Sequence, residues 1–141
     1  MCFAEGLADG GHLVTIDKNE ELEDRTRSFF ERSDYGHQIK FLVGDAMELI
    51  PGLKREFDLV FIDADKGNYI NYYNLVFDKV RPGGYILIDN VLWSGKVLDA
   101  VKPGDTDTEV LVRLNQMIHD DPRVQEILLP IRDGLLLVRK K

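Results

Sequence analysis

Four acidic residues follow apolar segments of strand length, and they are the first candidates for chemistry. They are Asp17, Asp45, Asp63 and Asp89, of which Asp45 stands one residue beyond its apolar run. A carboxylate at such a place is often only a helix cap, and for each residue alone that interpretation is as good as a functional one. Four acids at the ends of parallel strands would meet at one edge of a sheet, where α/β proteins bind ligands.

Hard oxygen donors are concentrated in two short segments, Asp63-Ala64-Asp65-Lys66 and Asp89-Asn90. Carboxylate and amide oxygens suit Mg²⁺, Mn²⁺ or Ca²⁺, and neither segment contains a soft ligand for zinc or copper. Lys66 is a candidate proton acceptor if nearby cations lower its pKa. Taken alone, Lys66 is better explained as a solvated surface lysine.

The other candidate residues would serve larger ligands. An acid after an early strand, as Asp17 is, commonly accepts hydrogen bonds from the ribose hydroxyls of a nucleotide cofactor. Asp45 and Ala46 can flank an adenine, because the small side chain leaves room for the ring. Trp93 lies in a loop with Ser94 and can form the wall of an aromatic substrate pocket, although a lone tryptophan often only anchors a loop.

Apolar runs alternate with helically spaced apolar residues, which predicts an α/β fold. The predicted strands cover residues 12–17, 38–44, 57–63, 85–89, 124–129 and 135–138, and the run 57–63 is typical of a strand buried on both faces. The last two strands lie too close in sequence for a helical crossover and should be antiparallel. We therefore predict an open, mostly parallel sheet that ends in an antiparallel hairpin.

Helices should lie between these strands, each with one apolar stripe. The stripes are formed by Leu22, Thr26, Phe29 and Phe30, then by Tyr69, Tyr73, Val76, Phe77 and Val80, then by Val110, Leu114, Met117 and Ile118. Asn19 can cap the first of these helices. A further short helix should follow the second strand and end at Pro51-Gly52.

Composition limits the function classes. The chain has 141 residues, enough for a single domain over 1–141, and a formal net charge of −7. An acidic chain is a poor partner for nucleic acid, because phosphate binding depends on Lys and Arg. No apolar run approaches the roughly 20 residues that cross a membrane. The single cysteine, Cys2, excludes an intramolecular disulfide, and we expect a reducing, cytoplasmic location.

Several other kinds of site can be compared with the same residues. An EF-hand beginning at Asp63 would need Gly and Glu where Asn68 and Asn74 stand, so a calcium loop is excluded. The Asp-x-Asp of an aspartyl phosphatase is a weak alternative, since Lys66 follows it mid-chain. Neither a nucleophile elbow nor a phosphate-binding loop is present. The three histidines lie far apart in sequence and are expected to be structural or solvated.

Five segments, read in order, carry a family resemblance. They are VTIDKN, FLVGDAMELIP, FDLVFIDADKGNYINYY, RPGGYILIDNVLWSGKV and DPRVQEILLPIRDGLLLVRKK, and together they cover essentially the whole chain. The most specific part is Phe-Ile-Asp-Ala-Asp-Lys combined with Asp-Asn-Val-Leu-Trp-Ser-Gly. The sequence resembles the cation-dependent O-methyltransferases, the caffeoyl-CoA and catechol O-methyltransferase-like group that uses S-adenosylmethionine.

The resemblance implies a Rossmann-like class I methyltransferase fold and a catalytic site built on a divalent cation. Asp63, Asp89 and Asn90 would ligate that cation, which is Mg²⁺ or alternatively Mn²⁺ or Ca²⁺. Lys66 would match the general base. Ser94 falls where family members place a substrate-contacting residue, often asparagine. The reaction implied is methyl transfer to a hydroxyl of a small ortho-dihydroxy aromatic, catalysed by a homodimer.

The resemblance also implies a binding site for S-adenosylmethionine. Asp17 would bind its ribose hydroxyls, and Ala46, together with Asp45, would lie at its adenine. Asp65 would contact the cofactor, as would the cation ligand Asp63.

The family pattern begins earlier than this chain does, with a strand and a glycine-rich turn. The opening CFAEGLADGG resembles the last stretch of the helix that follows that turn. We therefore expect an N-terminally truncated domain that lacks the first strand and the glycine-rich loop. The missing strand would lie between the strands that end at Asp17 and Asp63, and its absence would leave two strand edges unpaired.

Two other functions stay open at this point. One is a non-catalytic remnant that acts as an oligomerisation partner, because the glycine-rich segment is absent. The other is a nicotinamide dehydrogenase, because Asp17 alone would suit either cofactor. The second alternative is the weaker one, since the chain has no Tyr-x-x-x-Lys pair and hydride transfer needs no cation site.

Overall fold

The strands form two separate hydrogen-bonded sheets. As expected, the strands that end at Asp17 and Asp63 are not paired with each other. The computed structural model describes all 141 residues and forms two compact units, residues 1–52 and 53–141. The first unit holds a two-stranded sheet and the second a four-stranded sheet. The α/β class and the antiparallel C-terminal hairpin are confirmed, whereas a single domain over 1–141 stays a prediction.

The first unit contains two parallel strands and three short helices. These are α1 (Cys2–Glu5), β1 (Leu13–Asp17), a 3-10 turn (Glu20–Leu22), α2 (Glu23–Glu31), β2 (Ile39–Val43) and α3 (Ala46–Leu49). Leu13 pairs with Ile39, and the register continues to Asp17 opposite Val43. Asn19 caps the 3-10 turn by accepting a hydrogen bond from the Glu21 N–H, which confirms its predicted role.

The apolar stripe of α2 is less buried than predicted. Phe30 packs edge-on against Phe41 of β2, with ring centroids 5.8 Å apart. Leu22 and Phe29, however, are 43% and 53% exposed, so the expectation of a stripe that faces the core is wrong for them. A two-stranded sheet is too narrow to cover both turns of the helix. Two arginine guanidinium groups lie over the Phe29 ring instead.

The second unit is a four-stranded sheet with two α-helices. It contains β3 (Phe57–Ile62), α4 (Tyr69–Phe77), β4 (Val80–Asp89), α5 (Thr106–His119), β5 (Val124–Leu129) and β6 (Leu135–Lys140). The strand order is β3-β4-β6-β5. β3 and β4 are parallel, whereas β6 is antiparallel to both of its neighbours. No helix of the chain combines the length and apolar character needed to cross a membrane.

One helix end differs from the prediction. The stripe predicted a helix that includes Val80, but α4 ends at Phe77 and Val80 is the first residue of β4. Val80 pairs with Phe57 in the parallel ladder, and the Lys140 ammonium donates to the carbonyls of Phe77 and Val80. Tertiary pairing therefore overrides the helical spacing at this residue.

The core of the second unit lies on one face of its sheet. Ile62, Ile86, Ile88 and Val138 are buried there beneath α4 and α5, which contact each other and the sheet. On the opposite face Leu59 and Phe61 are 40% and 41% exposed. The prediction that segment 57–63 is buried on both faces is therefore wrong, because both helices of this unit lie on the same side.

We predict that the core under α5 determines the stability of the second unit. Leu114 is fully buried, and Leu114→Ala should lower the free energy of unfolding by about 2–5 kcal/mol through lost contacts and a residual cavity. Leu98 is 82% exposed, so the matched variant Leu98→Ala should change it by less than about 0.5 kcal/mol. Urea unfolding followed by circular dichroism measures both. Equal losses in the two variants would contradict this description of the core.

Candidate active site

The parallel pairing of β3 and β4 brings two predicted site segments together. Ile62 pairs with Ile88, so Asp63 and Asp89 leave adjacent strands at the same edge of the sheet. Asn90 follows with a left-handed backbone, at φ 60°, and its N–H donates to the Asp89 carboxylate at 2.8 Å. The sequence-based expectation that these strand ends are neighbours is confirmed.

Lys66 lies at the centre of this edge, and it is buried. Its Nζ donates to Asn90 Oδ1 at 2.8 Å, to the Ala64 carbonyl at 3.5 Å and to the hydroxyl of Tyr69. Asp63 Oδ1 lies 3.9 Å from the same nitrogen. The three acceptors match the three protons of an ammonium group. The alternative of a solvated surface lysine is therefore wrong.

The surroundings of Lys66 act on its pKa in opposite directions. Burial lowers the pKa below the ordinary lysine value, while the nearby carboxylates of Asp63 and Asp89 raise it, and burial has the larger effect. The group that results can exchange a proton more readily than a surface lysine. This is the property expected of a general base.

Tyr69 is a site residue that the sequence analysis did not identify. It is fully buried at the start of α4, and its hydroxyl oxygen also receives the Ala64 N–H at 3.4 Å. Burial raises the pKa of Tyr69, so the phenol stays protonated. Its position three residues after Lys66, about one helical turn, is the sequence signal that could have identified it.

Asp63 and Asn90 offer hard oxygen donors at this edge. Asp63 Oδ1 and Asn90 Oδ1 both lie within 4 Å of the Lys66 nitrogen, so these two oxygens already share one positive charge. The side chain of Asp63 is 54% exposed and accessible to an ion. No group of three or more His, Cys, Asp or Glu side chains in the chain is arranged to hold a metal. A cation here would therefore depend on the amide of Asn90 as well as on carboxylates.

Asp65 is held by the beginning of its own helix. One carboxylate oxygen accepts from Asn68 Nδ2 at 2.6 Å, and the other accepts from the Tyr72 hydroxyl at 2.7 Å. These bonds fix the carboxylate beside the Lys66 segment. Its predicted contact with a cofactor stays a prediction.

Trp93 and Ser94 follow the Asp89-Asn90 pair in a short 3-10 segment, Trp93–Leu98. The indole ring is half-buried, and its centroid lies 5.8 Å from Lys66 Nζ. The structure thus places Trp93 beside the buried lysine. The predicted substrate contacts of Trp93 and Ser94 are not tested by this geometry.

The other predicted residues belong to the first unit. Asp17 ends β1 and Asp45 follows β2, at the same edge of the two-stranded sheet. The Asp17 carboxylate accepts from the Asn19 N–H at 2.9 Å. Asp45 caps α3 by accepting from the Met47 N–H at 2.7 Å, and Ala46 is the first residue of that helix. The helix-cap interpretation therefore applies to Asp45, whereas the predicted nucleotide contacts stay predictions.

We predict that the hydroxyl of Tyr69 stabilises the fold through Lys66. Tyr69→Phe removes an acceptor from a buried ammonium group and should lower the free energy of unfolding by about 1.5–3 kcal/mol. Tyr73 is an ideal control, because it is equally buried in the same helix and its hydroxyl has no hydrogen-bond partner. Tyr73→Phe should therefore be neutral or stabilising in urea unfolding. A Tyr69→Phe protein as stable as Tyr73→Phe would contradict the assigned contact.

Known proteins resemble this chain along nearly its whole length. Caffeoyl-CoA O-methyltransferase from Petroselinum crispum is 35% identical over 99% of this chain and 63% of its own length. The O-methyltransferase from Bacillus cereus, crystallised with S-adenosylhomocysteine, superposes on 98% of this chain and 66% of its own, with a TM-score of 0.88 and 31% identity.

A third relative is the O-methyltransferase TomG from Streptomyces achromogenes, crystallised with S-adenosylmethionine. The superposition includes 98% of this chain and 66% of the TomG chain, with a TM-score of 0.87 and 26% identity. The chain thus spans less than two thirds of the length of these relatives. The family model described as O-methyltransferase matches residues 1–141. The chain belongs to the O-methyltransferase family.

Proposed function

We propose that the protein to which this chain belongs is a divalent-cation-dependent O-methyltransferase. It would transfer the methyl group of S-adenosylmethionine to one hydroxyl of an ortho-dihydroxy aromatic. The observation that carries the proposal is the buried Lys66 nitrogen, which lies within 4 Å of both Asp63 Oδ1 and Asn90 Oδ1 and beside the Trp93 ring. Family membership supports the methyl-transfer class, and the caffeoyl-CoA relative supports an aromatic substrate.

Asp63, Asp89 and Asn90 would hold the cation in this proposal. Two carboxylates and one amide are hard oxygen donors, which suit Mg²⁺ and also Mn²⁺ or Ca²⁺. When bound, such a cation stabilises the oxyanion of a chelating diol and so lowers the pKa of its hydroxyl. Among dihydroxy aromatics, only ortho hydroxyls are close enough to bind one ion together, which would restrict the enzyme to ortho-dihydroxy compounds.

Lys66 would accept the proton of the reacting hydroxyl at its Nζ. Because burial lowers the pKa of Lys66, a larger fraction of the amine is neutral when the substrate arrives. The new ammonium group would be stabilised by the acceptors already in place, Asn90 Oδ1 and the Tyr69 hydroxyl. The substrate oxygen and the methyl group of S-adenosylmethionine then need only be aligned. Positioning of the two reactants would therefore supply much of the rate acceleration.

The remaining predicted residues would bind and orient the cofactor and the substrate. Asp17 would accept hydrogen bonds from the ribose hydroxyls of S-adenosylmethionine, and Asp45 with Ala46 would lie at its adenine. Asp65 would contact the same cofactor. Trp93 and Ser94 would form the wall of the aromatic pocket. The proposal keeps the homodimer that the family resemblance implies and the cytoplasmic location expected from the composition.

The role of Lys66 can be tested in the complete protein. Lys66→Ala should lower kcat by about 10²-fold or more, the usual contribution of a general base. Binding of S-adenosylhomocysteine, measured by calorimetry, should be unchanged. Lys102 is exposed, and Lys102→Ala is the matched control, expected to keep full activity. A Lys66→Ala protein with normal kcat would refute the proposed base, and a complete wild-type protein without turnover would refute the proposed function.

The cation site can be tested without substrate. Asp63→Asn removes one anionic ligand and should weaken Mn²⁺ binding by about tenfold or more, which corresponds to roughly 1.4 kcal/mol. Asp58 lies in β3, the strand that Asp63 follows, and is also exposed, so Asp58→Asn should leave Mn²⁺ affinity unchanged. Electron paramagnetic resonance of free Mn²⁺ measures both. Equal affinities in the two variants would remove Asp63 from the proposed ligands.

A further inference from the structure

The loop after β4 has an unusual backbone. Asn90, Trp93 and Ser94 have φ values of 60°, 49° and 55°, in the left-handed region that residues other than glycine seldom occupy. Gly95 follows at φ 81°. Such conformations persist only where surrounding contacts impose them, and they concentrate at functional sites. Some other part of the molecule must therefore hold this loop.

The turn between β5 and β6 makes the contacts that hold the loop. The Asp133 carboxylate accepts a hydrogen bond from the backbone N–H of Ser94, a residue 39 positions earlier in the chain. The Asp133 carbonyl accepts from the Leu92 N–H at 2.9 Å, and the Gly134 carbonyl accepts from the Val91 N–H at 3.2 Å. Three hydrogen bonds, donated by Val91, Leu92 and Ser94, thus join this turn to the loop.

The packing between turn and loop leaves no space for adjustment. Gly134 has φ 82°, and a Cβ atom there would lie 2.5 Å from Leu92 Cγ. On the other side, Asn115 of α5 donates to the Val91 carbonyl at 3.0 Å. The start of the loop is therefore fixed from two directions. The Trp93-Ser94 part, in contrast, is held from the turn by the Asp133 carboxylate.

We propose that Asp133 is a positioning residue, whose carboxylate fixes the Trp93-Ser94 wall beside Lys66. A carboxylate accepting from a backbone N–H makes a charge-assisted bond, stronger than a neutral one, and suited to keeping Ser94 in a left-handed conformation. Asp133 acts on the wall through the backbone and needs no contact with a ligand. That the wall faces an aromatic substrate rests on the function proposed above, whereas the positioning itself does not.

The only tryptophan of the chain is Trp93, so its fluorescence reports on this loop without any ligand. Asp133→Ala should shift the emission to longer wavelength and raise acrylamide quenching about twofold as the loop opens locally. Asp133→Asn keeps an acceptor oxygen at the same place and should restore most of the wild-type quenching. Asp99 is exposed just after the same 3-10 segment, and Asp99→Ala should leave the emission unchanged.

The kinetic arm uses the complete enzyme and a catechol. Asp133→Ala should raise KM for the catechol about tenfold with a smaller change in kcat. The carboxylate mainly positions the Trp93-Ser94 wall, and its charge raises the pKa of Lys66 less than the charges of Asp63 and Asp89 do. S-adenosylhomocysteine affinity should stay the same, and Asp99→Ala should resemble the wild type. Asp133→Asn should bring KM most of the way back.

The outcomes separate this inference from the proposed function. Unchanged Trp93 quenching in Asp133→Ala, or an Asp133→Asn protein as perturbed as Asp133→Ala, would overturn the positioning role. A wild type without turnover would remove the proposed function, while the fluorescence arm would still decide on Asp133. If Asp133→Ala does not fold, Asp133→Ser replaces it. The shorter serine side chain removes the carboxylate acceptor of the Ser94 N–H, so Trp93 quenching should rise, and unchanged quenching would overturn the inference.

Discussion

The site depends on one buried positive charge that must be satisfied. Lys66 can be buried only because Asn90, Tyr69 and the Ala64 carbonyl take its three protons. An unpaired ammonium group in this place would be costly. The requirement ties the end of β3, the beginning of α4 and the end of β4 together. Each of these segments brings at least one oxygen atom to the same nitrogen.

The sheet register explains why distant segments can meet there. Parallel pairing of Ile62 with Ile88 places Asp63 and Asp89 at one edge. Antiparallel pairing of Asp89 with Leu135 brings the turn that contains Asp133 to the same edge. The C-terminal hairpin therefore serves the site as well as closing the sheet. Residues far apart in the sequence are neighbours at this edge, because the order of the strands in the sheet, β3-β4-β6-β5, differs from their order in the chain.

Much of this arrangement was predictable from local patterns. The strand ends at Asp63 and Asp89 follow from apolar runs, and the hairpin follows from its short turn. Burial was less predictable. Leu59 and Phe61 belong to an apolar run that is typical of a strand buried on both faces, but α4 and α5 cover only one face of the sheet. Val80 continues a helical spacing but pairs as a strand. The contact between Asp133 and Ser94 has no local pattern at all, since it arises only when β6 pairs with β4.

We propose that the edge formed by Asp63, Asp89 and Asn90 binds the cation, with Lys66 as its neighbour. The most direct measurement is the anomalous diffraction of crystals grown with Mn²⁺. We expect one strong peak within about 2.0–2.6 Å of oxygens from all three residues, at the distances usual for hard cations. A peak elsewhere in the protein, with the Lys66 ammonium still bound between Asp63 and Asn90, would contradict the account.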